Sequence, residues 1–339
     1  EAGGLAAVRF SVAPKSVAGL NSGQPMRTLL HSIDTGEDRV TLIPTTRDRL
    51  RAHAFLDGRS DFSSGPPVVS SLSEWTASLP APSAPDRYIF HVGFCGSTLL
   101  TRLLDVPGRT LVLREPNCLA HMANHGQGGC SLDVVRRHLG VPWAEGEAII
   151  VKPSNWANSL LRAISESAAP MLPVFLHMSR DAFLRAVFRG GNQRIAFAAR
   201  AAVHLSGGDE RDALLVARAL EATGDDQHRL ARLALVMLDI EIRMFHDAST
   251  KAGWGKECWF THQDLTNDPV DAGVRIAKVL EIEISVSDIE KNAMLWRSRH
   301  AKSPADTFAP SDESVHDDAL WRRHGDVLKD ALDWAEVNL

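Results

Sequence analysis

From Tyr88 onward, short apolar runs alternate with segments whose apolar residues recur every three or four positions. The runs 88–93, 110–114, 147–152, 173–178 and 257–262 predict strands, and the spacing predicts helices over 97–105, 157–168, 181–189, 210–222, 226–248, 269–281 and 316–337. That alternation implies an α/β fold in three layers, with a central, mostly parallel sheet of about five strands flanked by helices. Within 226–248, Leu230, Leu233, Met237, Ile240 and Met244 fall on one stripe, as a core helix requires. Each predicted strand ends in polar or small residues. In an open parallel sheet the ligand lies beyond the carboxyl ends of the strands, so these clusters should converge on one crevice.

Residues 1–87 have a different texture. Stretches such as Ser63-Ser-Gly-Pro-Pro67 and Leu79-Pro-Ala-Pro-Ser-Ala-Pro85 leave only short apolar patches. They predict an irregular N-terminal extension packed on a main domain of residues 88–339, which itself carries a helical insertion at about 190–250.

Charge and cysteine usage narrow the function classes. The net charge of −5 is spread without blocks of one sign, which argues against a nucleic-acid coat and leaves room for a local basic pocket. No run of about 18 apolar residues occurs, so no membrane partner is expected and a soluble, cytoplasmic protein is. Cys95, Cys118, Cys130 and Cys258 have no CxxC pairing, which suggests neither a zinc site nor a disulfide scaffold. Oligomeric state has no signature in the sequence.

The segment Gly93-Phe-Cys-Gly-Ser-Thr98 follows a predicted strand and opens a predicted helix. Backbone N–H groups at such a turn, together with the helix dipole, bind phosphate. Gly96 permits close approach of the anion, and the Ser97 and Thr98 hydroxyls can donate to it; an ordinary Ser/Thr cap on a βα turn is the alternative. A Walker A loop would need Gly where His91 stands and Lys where Ser97 stands. The segment instead resembles the phosphosulfate loop of the sulfotransferases, Gly-x-Pro-(Arg/Lys)-Ser-Gly-Thr-Thr, with Gly96, Ser97 and Thr98 matching its end. The family's basic residue falls on Phe94 and its Pro on Gly93, with Cys95 between the matched parts.

Later segments resemble the same family in the same order. Phe175-Leu-His-Met-Ser-Arg180 is similar to the strand end whose Arg meets the 3′-phosphate of the donor, 3′-phosphoadenosine 5′-phosphosulfate (PAPS). An Arg fork suits that task, although the family's following Ser falls on Phe188 and Asp181 offers an ordinary ion pair. Arg185 and Arg189 lie one turn apart on the same helix and could substitute. Trp259-Phe-Thr-His-Gln-Asp-Leu-Thr-Asn-Asp-Pro269 resembles the family's late Asp-Leu-x-x-Asp-Pro segment and is the most specific match. Its role reads as structural, with Asp268 or Asn267 capping a helix and Pro269 in its first turn. Arg297-Ser-Arg-His-Ala-Lys-Ser303 resembles the loop that closes over the nucleotide, placing Lys302 and Ser303 nearest the 3′-phosphate.

The resemblance implies sulfuryl transfer from PAPS to a hydroxyl or amine of a small organic acceptor, on a P-loop-like fold with a degenerate loop. Such transfer needs positioning, a cation at the bridging oxygen and a base for the acceptor proton. Glu115, just past the second strand in Leu111-Val-Leu-Arg114-Glu115, is the candidate base; an Arg114 ion pair, or His121 or His125 as base, are the alternatives. Lys152, ending a strand before Pro153, resembles the family's Lys-Thr-Pro lysine and is the candidate cation. Trp156 and its apolar neighbours favour a small acceptor over a long anionic glycan, and no Asp-rich cluster suggests a metal. The rival readings are a P-loop kinase or nucleotide hydrolase, and a scaffold that binds a nucleotide without transfer.

Overall fold

The computed structural model describes residues 26–81, 84–125, 132–297, 299–300, 303–307 and 310–339. The stretch expected to be irregular instead carries β1 (Arg27–Asp34), β2 (Arg39–Thr45), α1 (Arg47–Ala52), β3 (Val68–Ser71) and α2 (Leu72–Ser78). β1 and β3 flank β2 in an antiparallel sheet that buries Leu29, Leu30, Ile33, Val40 and Leu42. In β1 and β2 polar residues such as Thr28, His31, Ser32 and Thr41 break up the apolar positions, so a local window gives little contrast.

The main domain opens with β4 (Asp86–His91), α3 (Ser97–Leu104), β5 (Thr110–Arg114), α4 (Asn117–His125), α5 (Leu132–Leu139) and β6 (Ala148–Lys152). A 3₁₀ turn (Asn155–Leu160), α6 (Leu161–Glu166), β7 (Met171–His177), α7 (Arg180–Arg189), α8 (Gly191–Ser206), α9 (Glu210–Glu221) and α10 (Asp226–Ala252) follow. Then come β8 (Trp259–Thr261), α11 (His262–Asn267), α12 (Pro269–Val279), α13 (Val286–Arg297), the strand pair β9 (Arg299–His300) and β10 (Ser303–Thr307), and α14 (Pro310–Asn338). The sequence predicts one helix over 157–168, where the chain forms a 3₁₀ turn and a short α-helix. The α8 helix has no separate sequence signal because its buried face is mostly alanine, namely Ala198, Ala199, Ala201 and Ala202.

The central sheet has five strands among the described residues, in the order β5-β6-β4-β7-β8, every ladder parallel. Helices flank it: α3 packs with α12 and α13, and α10 gathers α6, α7, α8, α9 and α14. With both faces covered the strands read as continuous apolar runs, and all of β5 is buried, Arg114 included. Strand β4 starts at Asp86 because its ladder with β7 begins at the Asp86–Met171 pair. It sits mid-sheet, with β5 and β6 on one side and β7 and β8 on the other. The chain therefore reverses direction across the sheet at β4, and the crevice beyond its carboxyl end is where the loop 93–98 lies.

The late motif has the structural role its residues imply. Asp268 caps α12, accepting from the Val270 and Asp271 N–H groups at 3.1 and 2.9 Å, with Pro269 in the first turn. Asp264 and Thr261 form a reciprocal capping box on α11, with the Thr261 N–H donating to Asp264 Oδ2 at 2.7 Å. No helix among the described residues is long and apolar enough to cross a membrane.

Candidate functional site

The loop between β4 and α3 is held in left-handed backbone at two places, Phe94 (φ 62°) and Gly96 (φ 84°). Gly96 is the N-cap of α3, and no side chain caps that helix start. Helices α7, α9, α10, α11 and α12 are capped, by Ser179, Asp209, Asp225, Thr261 and Asp268, whereas α6 and α8, like α3, have no side-chain cap. The N-terminus of α3 thus has its dipole uncompensated by an N-cap side chain, with Ser97 and Thr98, both buried, at its first two positions. A Cβ on Gly96 would come within 3.1 Å of His262 Nδ1, and that imidazole nitrogen lies 3.0 Å from the Cys95 carbonyl. Cys95 is fully buried, and burial pushes its thiol up to about 12, so it serves as packing rather than as a nucleophile.

Glu115, Lys152 and His91 meet at the carboxyl ends of β5, β6 and β4. Lys152 is 1% exposed and donates to Glu115 Oε1, and the Glu115 N–H donates to the Lys152 carbonyl at 2.6 Å. Arg59 of the N-terminal region donates to Glu115 Oε2 at 2.6 Å. Burial would raise the Glu115 carboxyl, but the Lys152 and Arg59 charges outweigh it and hold its pKa at about 2. Arg114 is not its partner: that guanidinium turns away to Asp105 and to Thr101 Oγ1, the latter at 3.2 Å. Glu115 adopts φ 55°, a conformation that costs a non-glycine residue about 1–3 kcal/mol and persists only where surrounding contacts impose it. His91 lies between the Val92 and Pro153 carbonyls at 2.9 and 3.1 Å. Burial and then the Lys152 charge lower its pKa to about 3, so the ring is neutral and can donate to only one of them.

A second carboxyl lies behind the loop. Glu241 of α10 is fully buried; its Oε2 accepts the Gly93 N–H at 3.3 Å, and its Oε1 accepts from Asn155 and Asn158 at 3.0 and 3.1 Å. Asn158 also donates to the His91 carbonyl at 3.2 Å, tying β4 to the same network. With no cation among its partners, burial raises Glu241 to about 8. It stands four residues after Met237, whose Cε would be 3.0 Å from a Cβ on Gly93. An acid one helical turn from an apolar stripe residue is the sequence signal that could have revealed it.

The remaining sequence candidates are more dispersed. Arg180 opens α7 and is partly buried, 3.7 Å from Asp239 Oδ1 and 3.6 Å from Glu336 Oε1, while Asp181 pairs with Arg185. His121 lies beside His125 on α4, ring centres 4.5 Å apart and planes tilted by 43°; burial and then the His125 charge lower its pKa. Ser303 lies in β10, and Lys302 is outside the described residues. Phe94, where the resemblance calls for a basic residue, packs edge-on to Phe197 at 5.8 Å and lies under Arg194, whose guanidinium is 5.2 Å from the ring centre. Trp156 stacks on His204 at 4.1 Å and contacts Phe197. Arg194 and Arg59 carry no motif, and only the fold brings them to the loop and to β5. No group of three His, Cys, Asp or Glu side chains among the described residues converges as a metal site would require.

No protein-family model and no curated protein sequence matches the chain. Solved structures with distant similarity include a sulfotransferase from Alicyclobacillus acidocaldarius, at 16% identity and a TM-score of 0.34, over 73% of this chain and 95% of that one. Another is the sulfotransferase domain from the Synechococcus PCC 7002 olefin synthase, at 16% identity and a TM-score of 0.38, over 76% and 98%. The chain thus has a distant structural similarity to sulfotransferase domains.

Proposed function

We propose that the chain is a sulfotransferase that moves a sulfuryl group from PAPS to a hydroxyl or amine of a small organic acceptor. The observation that carries this reading is the start of α3 at Gly96, Ser97 and Thr98, which has no side-chain cap and follows β4, where the chain reverses its course across the parallel sheet, with Lys152 at the end of the adjacent strand. The residues fit a phosphosulfate: the backbone from Phe94 to Thr98 offers donors, and the chain's own cations offer charge. Lys152 ends β6, the strand paired with β4, which leads directly into the loop. Arg180, with Lys302 and Ser303, is assigned to the 3′-phosphate.

In the transfer, the acceptor oxygen or nitrogen attacks sulfur in line. The bond from sulfur to the bridging phosphate oxygen breaks, and its electron pair stays on the 5′-phosphate. Lys152 offsets the charge that develops there, and Glu115, or else His121, takes the acceptor proton. The half-buried aromatic group of Phe94, Phe197 and Trp156 suits a small organic acceptor.

Calorimetry with 3′-phosphoadenosine 5′-phosphate against ATP–Mg²⁺ tests the donor class. Binding of the bisphosphate is expected; tight ATP binding without it would overturn the reading in favour of a kinase or nucleotide hydrolase. A second reading, nucleotide binding without turnover, draws on the two cations that occupy Glu115. Transfer of labelled sulfate to any acceptor excludes it.

A further inference from the structure

We propose that Arg59 is a removable clamp on Glu115, a positioning residue that covers the base in the resting chain and swings away when an acceptor enters. The proposal rests on the reading of Glu115 as the base.

The N-terminal segment is fastened to the strand end at its backbone. The Leu56 N–H donates to the Arg114 carbonyl at 2.8 Å, and the Asn117 N–H donates to the Leu56 carbonyl at 3.3 Å. Leu56 is itself fully buried. Residues immediately before and two after Glu115 are therefore tied to one residue of the segment, which imposes its strained φ and delivers Arg59 three positions later. Between them Gly58, at φ 90°, makes the turn that a residue with a Cβ would resist.

Both oxygens of Glu115 are taken, one by Lys152 and one by Arg59. An acceptor proton needs one of them. The two partners differ in what release would cost: the Lys152 side chain is 1% exposed, so freeing it would leave a buried, unpaired charge. The Arg59 side chain is 55% exposed and has a second resting place. Its Nε donates to Asp57 Oδ2 at 2.6 Å, and its guanidinium lies 3.7 Å from the centre of the Phe55 ring. Leaving Glu115 thus keeps an ion pair and a cation–π contact intact. The charged and titratable groups facing Glu115 are Lys152 from β6, His91 from β4 and Arg59 from the segment, with Asp57 beyond Arg59. His31 and His121 lie further out; His121 and Asp57 both act on His31, and His125 and Asp34 on His121. Removing Arg59 withdraws one of the two cations that keep Glu115 ionised, while Lys152 stays.

The test uses the full chain and its Arg59→Ala and Arg59→Lys variants. Carbon-13 NMR of labelled glutamate follows the Glu115 carboxyl, assigned by its loss in Glu115→Gln. Arg59→Ala is expected to raise the titration midpoint by about one pH unit or more, the shift an adjacent opposite charge produces, and Arg59→Lys to restore most of it. Hydrolysis of PAPS, with water as acceptor, supplies a turnover readout that needs no identified substrate. The Ala variant is expected to hydrolyse several-fold faster near neutral pH, with the acid limb of its pH profile moved upward in step with the titration. An unmoved midpoint, or hydrolysis no faster than in the parent chain, overturns the clamp. Calorimetry of the parent chain with 3′-phosphoadenosine 5′-phosphate separates the two failures: if the bisphosphate does not bind, the sulfotransferase reading falls and the clamp's role falls with it. If it binds while Arg59→Ala changes nothing, only the clamp is wrong.

Discussion

Gly93 hangs from Glu241: its backbone N–H is donated to the Oε2 of that buried carboxyl at 3.3 Å. The first residue of the β4–α3 loop is thereby fixed to α10, which packs against α6 and α8 and also carries the core stripe. Three donors converge on Glu241, from Gly93, Asn155 and Asn158, in a place that solvent does not reach. Such a group is costly to ionise and costly to remove.

Glu241→Ala is expected to destabilise the chain by about 3 kcal/mol, since three buried donors lose their acceptor at about 1 kcal/mol each. Glu241→Gln keeps the volume and tests the proton. The folded carboxyl, at about 8, binds its proton more tightly than an unfolded one at 4.5. Its contribution is therefore complete below about 4.5 and is lost as pH rises to about 8. Urea unfolding from pH 5 to 8 should show the parent chain losing stability relative to Glu241→Gln across that window. Parallel curves for the two proteins would show that Glu241 is ionised throughout.

Gly96→Ala addresses the loop directly. At φ 84° a Cβ is strained and would stand 3.1 Å from His262 Nδ1, so the loop or the imidazole has to shift. The expected cost is about 1–2 kcal/mol in thermal or urea unfolding, the penalty for a left-handed non-glycine residue. Loss of 3′-phosphoadenosine 5′-phosphate binding should exceed what that modest destabilisation explains. Unchanged binding would mean that the anion does not use this turn.

The sheet was legible because its strands are buried on both faces and punctuated by polar ends; β5 over Thr110–Arg114 coincides with its predicted run. Asp268 and Pro269 were legible because capping is a local code. Glu115, Lys152 and the Gly96 turn could be named because each ends a strand. Arg59 could not, since it has no local reason to be chemical: it gains one from the Leu56 backbone bonds to Arg114 and Asn117, which lie 58 and 61 positions further along the chain. Arg180 shows the opposite case, a residue named by motif whose observed partners, Asp239 and Glu336, lie on α10 and α14. Pairings across such separations are decided by packing, and no periodicity in the chain announces them.

Breaking the Lys152–Glu115 pair from one side should be severe. Lys152→Ala leaves a carboxylate that is buried and reached only by the exposed Arg59, and the expected loss is about 3–5 kcal/mol. The double variant Lys152→Met with Glu115→Gln should recover much of it, because no buried charge is left alone. The pH signature runs opposite to that of Glu241. Glu115 is held at about 2, below its ordinary 4.5, so its stabilisation is present above about 4.5 and lost as pH falls to about 2. Acid unfolding of the parent chain should therefore be steeper in that range than that of Glu115→Gln.

Arg180, proposed to meet the 3′-phosphate, rests 3.7 Å from Asp239 and 3.6 Å from Glu336, distances at which an ion pair is weak and a competing phosphate can take the guanidinium. Burial raises the Asp239 carboxyl, and the Arg180 charge lowers it against that trend. Withdrawal of Arg180 to a nucleotide should thus shift Asp239 further upward and cause proton uptake on binding, detectable as a buffer-dependent enthalpy. Arg180→Ala is expected to weaken 3′-phosphoadenosine 5′-phosphate by about 10- to 100-fold, the worth of a charged hydrogen bond at about 1.5–3 kcal/mol. Adenosine 5′-monophosphate, which lacks the 3′-phosphate, should bind parent and variant alike. Equal weakening of both ligands would mean that Arg180 holds α7 against α10 and α14 and does not read the 3′ position.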